Sequence, residues 1–149
     1  MPEAQPVPVL VGVTDEEDVR GALAFAVAEA ARRGVGIHLV HVTPTVPLGP
    51  VGQDEIDATG RDLLERVARG LRTERGGELE VTTELVHGSV APALVEAAVR
   101  TGMVVLQHQR MGRPGPVATL SVTNPVAALA GVPVVAVPAG WREDREDLV

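Results

Sequence analysis

The chain has 149 residues and a formal net charge of −7, with 13 arginines, no lysine and no cysteine. That length fits one domain with a full core. The acidic balance argues against nucleic-acid or anionic-membrane binding driven by overall charge. The missing residue types exclude a disulfide, a thiolate metal site and a Walker lysine. Apolar residues make up 45% but aromatics only 1%, so the core must be aliphatic. No apolar run approaches a membrane span, and no basic region precedes an apolar stretch at the N-terminus. A cytoplasmic address is therefore expected, with no membrane partner.

In chain order, Pro6 to Val13 is a nearly continuous apolar run, the pattern of a strand buried on both faces. Thr14 with Glu17 matches a capping box. Val19, Leu23, Ala26, Val27 and Ala30 follow at helical spacing, and Arg32-Arg33-Gly34 ends that helix. Val35 to Val42 reads as a second strand, and the Pro- and Gly-rich stretch Thr43 to Gly52 as a loop. A helix over about Asp54–Arg75 places Ile56, Leu63, Val67 and Leu71 on one face and stops at Gly76-Gly77. Leu79 to Val86 alternates partly and reads as a strand nearer an edge. Gly88-Ser89 then turns into a helix with Val90, Leu94, Ala97 and Ala98 inward.

A fourth strand covers Val104 to Leu106, beginning near Met103. A loop with Arg110, Gly112, Arg113 and Gly115 follows, and Thr119 or Ser121 opens a helix carrying Val122, Val126 and Leu129. Pro125 is tolerated only in the first turn of that helix. Pro133 to Val137 is the fifth strand. Residues 1–5 and the charged tail Trp141 to Val149 are expected to be frayed ends. Strict β-α alternation with short connections predicts a single α/β domain over 1–149, with a parallel sheet, right-handed crossovers and helices on both faces. Strand, glycine-containing loop and helix N-terminus is also an arrangement that holds phosphate, because free N–H groups and the helix dipole face the anion.

Three stretches carry a family resemblance: V-L-V-G-V at 9–13 with H-L-V-H-V at 38–42, H-G-S-V-A-P-A-L-V-E-A-A at 87–98, and S-V-T-N-P-V-A-A-L-A-G-V-P-V-V-A-V at 121–137. In that order they resemble the universal stress protein family over nearly the whole chain. The resemblance implies a Rossmann-like open five-stranded sheet of order 3-2-1-4-5, usually in a homodimer. Many members bind ATP or a related adenine nucleotide, and others act as stress-response regulators or interaction proteins. Ligands in such sheets sit beyond the strand C-termini where the strand order reverses.

ATP-binding members carry G-x-x-G-x9-G-[S/T] after the fourth strand. In this chain the three glycines fall on Gln107, Arg110 and Leu120, leaving only the hydroxyl of Ser121. The family's aspartate after the first strand falls on Thr14. A hydrogen bond to a charged group is worth about 1.5–3 kcal/mol, so losing two weakens binding roughly 100- to 10,000-fold. The expected function is a stress-response regulatory or interaction protein with ATP binding lost or weak, no resident cofactor and no catalysis. The alternative is a module that retains ATP, AMP or another anion, with Arg110 and Arg113 attracting phosphate and Gly112 and Gly115 re-registering the loop. In that case the ligand-binding residues are Thr14, Val42, Gln107, Arg110, Gly112, Arg113, Gly115, Ser121 and Val122.

Other constellations read as structural. His41 and His87 lie near the C-termini of the second and third strands and His108 follows the fourth, without metal-ligand spacing, so no metal is expected. Ser89 lacks a G-x-S-x-G elbow and stands where a helix N-cap is needed. The uncharged edge strand Val134–Val137 is expected to mediate self-association, and an unknown protein partner fits the regulatory reading.

Overall fold

A computed structural model describes residues 6–15, 18–44, 49–74, 77–108 and 123–142. Five strands, β1 (Val9–Gly12), β2 (Ile37–Thr43), β3 (Val81–His87), β4 (Met103–Gln107) and β5 (Val134–Val137), alternate with helices α1 (Arg20–Arg33), α2 (Gly49–Glu74), α3 (Val90–Ala98) and α4 (Thr123–Leu129). All strand pairs are parallel, and the order is β3-β2-β1-β4-β5. The central strand β1 pairs Val11 with Leu39 on one side and with Val105 on the other. The chain order thus reverses between β1 and β4, as the resemblance implied.

Side-chain alternation along the strands feeds two cores. Val9, Val11, Ile37, Leu39, Val105 and Val137 pack with α1 and α2, through residues such as Ala22, Ala26, Leu64 and Ala68. Leu10, Val40, Val104 and Leu106 pack on the other face with Leu94, Ala97, Ala98 and Val126 of α3 and α4. β1 and β4 are apolar on both faces because helices cover both, which explains their continuous runs.

Several local expectations need correction. The α1 helix does not start from a Thr14 capping box. It begins at Arg20 after Val19, with no side-chain cap at that position. Asp18 supplies the local contact instead, accepting the Arg20 N–H at 3.1 Å and pairing with its guanidinium at 2.7 Å. The predicted end holds: Gly34 adopts φ 69°, and its N–H reaches the carbonyls of Ala30 and Ala31. The α2 helix starts at Gly49, inside the stretch expected to be loop. Proline is tolerated in a first turn, where no N–H is needed, so Pro50 does not prevent this. Val90 is 42% exposed at the first turn of α3 and Leu129 is 68% exposed at the last residue of α4, so neither faces the core. Trp141 is not frayed. Its ring meets Phe25 edge-on at 5.3 Å, and its N–H donates to the Pro138 carbonyl. Residues 1–5 and 143–149 lie outside the described residues, as do Glu17 and Gly76.

Candidate functional site

At the C-terminal end of the sheet the described residues enclose a cleft of about 800 Å³. One wall is the end of β1 and the turn after it, Gly12 to Asp15, and another is the end of β2, Val40 to Pro44. The first half of α2 contributes Glu55, Ile56, Thr59 and Gly60, and the β3–α3 turn contributes Gly88, Ser89 and Val90. Leu94 of α3 closes the cleft together with Leu106 and Gln107 of β4. This is the crevice that a strand-order reversal opens in an α/β sheet. A second hollow of about 560 Å³, lined by Ala30, Gly34 and Leu79 among others, lies at the N-terminal ends of the strands, away from that crevice.

Two glycines set the close approaches. A Cβ on Gly12 would come within 2.9 Å of Leu106 Cδ2, so the end of β1 lies directly against β4. One on Gly60 would come within 2.7 Å of Leu85 Cδ1 and 2.8 Å of His41 Cδ2, so α2 is pressed onto β2 and β3.

Gln107, the residue at the first family glycine position, is fully engaged. Its Oε1 accepts the N–H of Ala22, 85 residues away, at 3.0 Å. Its Nε2 donates to the carbonyl of Val137 at 3.0 Å. The first bond serves an orphan donor in the first turn of α1, which has neither a side-chain cap nor an acid of its own. The second ties β4 to the end of β5. Gly21 permits this junction, since a Cβ there would meet the Pro138 carbonyl at 3.0 Å and Gln107 Oε1 at 3.4 Å.

The remaining polar groups are also placed by the fold. His41 Nδ1 lies 2.7 Å from the carbonyl of Val13, which can only accept, so Nδ1 carries a proton. Thr43 is 2% exposed, and its hydroxyl has no hydrogen-bond partner among the described residues. His87 Nε2 meets both oxygens of Asp57 at 2.9 Å. Hydrogen bonds from Gln53 and then His87 hold the Asp57 carboxyl below its ordinary range. On the opposite face of the sheet His38 bridges Thr82 and Glu84 at 2.7 and 2.8 Å. His38, His41 and His87 therefore make contacts within the fold, and among the described residues no group of side chains is placed to hold a metal. Ser89 occupies the N-cap position of α3 in extended conformation, but its side chain makes no cap hydrogen bond.

Of the expected ligand-binding residues, the fold brings Thr14, Val42 and Gln107 to one cleft. Arg110, Gly112, Arg113, Gly115, Ser121 and Val122 lie outside the described residues, as do Thr119 and Leu120. Sequence reasoning missed the α2 wall. Its residues, 55, 56, 59 and 60, fall within the expected helix at the spacing of one helix face, but that spacing does not say which strand ends the face covers. It also missed Asp57 as the partner of His87, because the two meet only across the α2–β3 packing.

The sequence profile of the Universal stress protein family matches residues 8–138. A universal stress protein of Mycolicibacterium smegmatis is 33% identical over 136 residues, covering 88% of this chain and 45% of the relative. One of Mycobacterium tuberculosis is 32% identical over 140 residues, covering 91% of this chain and 46% of its own length. The chain thus spans about half the length of these curated relatives. Among solved structures, a universal stress protein from Archaeoglobus fulgidus superposes with a TM-score of 0.68 at 25% identity, covering 88% of this chain and 98% of that one.

Proposed function

The chain belongs to the universal stress protein family, and from that premise we propose that it is a stress-response regulatory or interaction protein, not an enzyme, in which ATP binding is lost or weak. The observation that carries this reading is Gln107. A glycine there would leave backbone free to approach a phosphate. Here a side chain stands at that position, spent on Ala22 and Val137. The described cleft lining also presents the carboxylates of Asp15 and Glu55 and no arginine, a poor setting for a polyphosphate. Isothermal titration should give an ATP dissociation constant of about millimolar or weaker. Restoring glycine at Gln107, Arg110 and Leu120 together with Thr14→Asp should tighten binding by about 100-fold or more. A low-micromolar constant for the wild-type protein would overturn the reading.

A second reading keeps a small-molecule role. The cleft volume falls in the range of ligand pockets, roughly 300–1,000 Å³. An Archaeoglobus fulgidus universal stress protein at 24% identity was solved in complex with dAMP. On this reading ATP, AMP or another anion occupies the cleft, with Arg110 and Arg113 attracting it. Native mass spectrometry of ligands that co-purify with the protein separates the two readings. Among the described residues no helix is long and apolar enough to cross a membrane. A cytoplasmic homodimer joined through Val134–Val137, with a further protein partner, completes the proposal.

A further inference from the structure

Two walls of the cleft, on α2 and on the β3–α3 turn, are joined by one polar chain. Asp57 sits on α2 within the stretch whose neighbours Glu55, Ile56, Thr59 and Gly60 line the cleft. His87 is the last residue of β3, directly before Gly88, Ser89 and Val90, which line the facing side. His87 Nε2 bonds both Asp57 oxygens at 2.9 Å, Gln53 Nε2 donates to Asp57 at 3.0 Å, and the same Gln53 nitrogen reaches the Pro44 carbonyl at 3.3 Å. The chain His87–Asp57–Gln53–Pro44 therefore ties the β3–α3 turn, α2 and the end of β2 into one rim. We propose that the His87–Asp57 pair is a latch between the helical wall and the β3–α3 wall, and that protonation of His87 tightens the cleft.

The geometry supports a latch rather than an incidental surface contact. The Asp57 side chain is 10% exposed and that of His87 46%, so the carboxylate is held inside while the imidazole stays open to solvent protons. Thr43 pairs with His87 in the sheet register, and its buried hydroxyl has no partner among the described residues. Beneath the pair, backbone joins the strands, the Gly88 N–H donating to the Thr43 carbonyl at 2.9 Å, and the His87–Asp57 pair adds the side-chain tie to α2. The charges facing the imidazole are few. Asp57 comes from α2, and Arg61 of the same helix acts on that carboxylate. From β2 comes His41, which shares the face and is bonded to Val13. Leu85 of β3 and the start of α3 bring none. Imidazoles gain charge between about pH 8 and 5. Asp57 stays ionised across that range, since its carboxyl is held low. Protonation of the imidazole therefore turns a bond to which only the carboxylate brings charge into an ion pair charged on both sides, which is stronger.

Hydrogen exchange followed by mass spectrometry on the full chain tests this without a ligand. Protection of peptides covering 52–60 and 88–94, corrected for intrinsic exchange rates, should rise about threefold to tenfold from pH 7.5 to 5.5. Asp57→Asn and His87→Gln should each abolish that rise. The exposed His87 side chain makes His87→Gln the variant that keeps the test sound should Asp57→Asn fold poorly. Equal protection of the wild type at both pH values would overturn the latch, as would an undiminished rise in a folded His87→Gln protein.

Discussion

Replacing Gln107 with methionine keeps most of the side-chain volume and deletes both hydrogen bonds. The two losses differ in size. Ala22 is fully buried, and its N–H would be left without its partner, which costs about 1–3 kcal/mol. The Val137 carbonyl keeps a second donor, the N–H of His108 at 2.7 Å, so only an ordinary net bond of about 0.5–1.5 kcal/mol disappears there. Together these predict a destabilisation of about 3 kcal/mol, which for a chain of this size lowers Tm by roughly 6–12 °C. Urea unfolding at fixed protein concentration should report this as a shift in midpoint with unchanged slope. Gln107→Glu should fall between wild type and Gln107→Met, because a carboxylate can still accept from the first turn of α1 but cannot donate to Val137. A Gln107→Met protein within about 0.5 kcal/mol of wild type would refute the claim that this side chain is a structural strut.

Two glycines on α2 should respond oppositely to alanine. Gly70→Ala meets no atom within 4 Å and should stabilise by about 0.5–1 kcal/mol, whereas Gly60→Ala would press on Leu85 and His41 and should destabilise by about 1–3 kcal/mol, both read by thermal melts. Acid should weaken the fold in a predictable window. The folded carboxyls of Glu29, held low chiefly by its hydrogen bond to Arg32, and of Asp57 lie below their unfolded values, so their contributions are complete above about pH 4.5 and vanish as pH falls through the lowered values. Urea midpoints between pH 6 and 3 should therefore drop, with a shallower slope in Asp57→Asn. β5 pairs only with β4 among the described residues, so light scattering should give about twice the chain mass. Of Val134→Glu and Ala136→Glu, the variant facing the partner should dissociate with its circular dichroism intact, and a monodisperse wild-type monomer at high micromolar concentration would exclude this interface.

The strand and helix alternation is legible in the residues alone. Local patterning produces it: Val9 to Val11 and Val104 to Leu106 are continuously apolar because both sheet faces are covered, and Gly34 ends α1 because only its left-handed φ satisfies the last carbonyls. The sheet order came from the resemblance and was borne out, since it depends on where crossovers land rather than on any one segment. The chemistry of the cleft emerges only on folding. Gln107 looks like a lost glycine when read along the chain, and its role depends on Ala22 and Val137, brought to it by two separate crossovers. His87 shows no partner in its own neighbourhood, because Asp57 lies 30 residues away on a helix packed across the sheet. Trp141 reads as the start of a charged tail until Phe25 appears beneath it. Periodicity and turn chemistry are short-range signals, so they reach the elements. The side-chain contacts that shape this cleft join residues far apart in sequence, and they exist only once the sheet has closed.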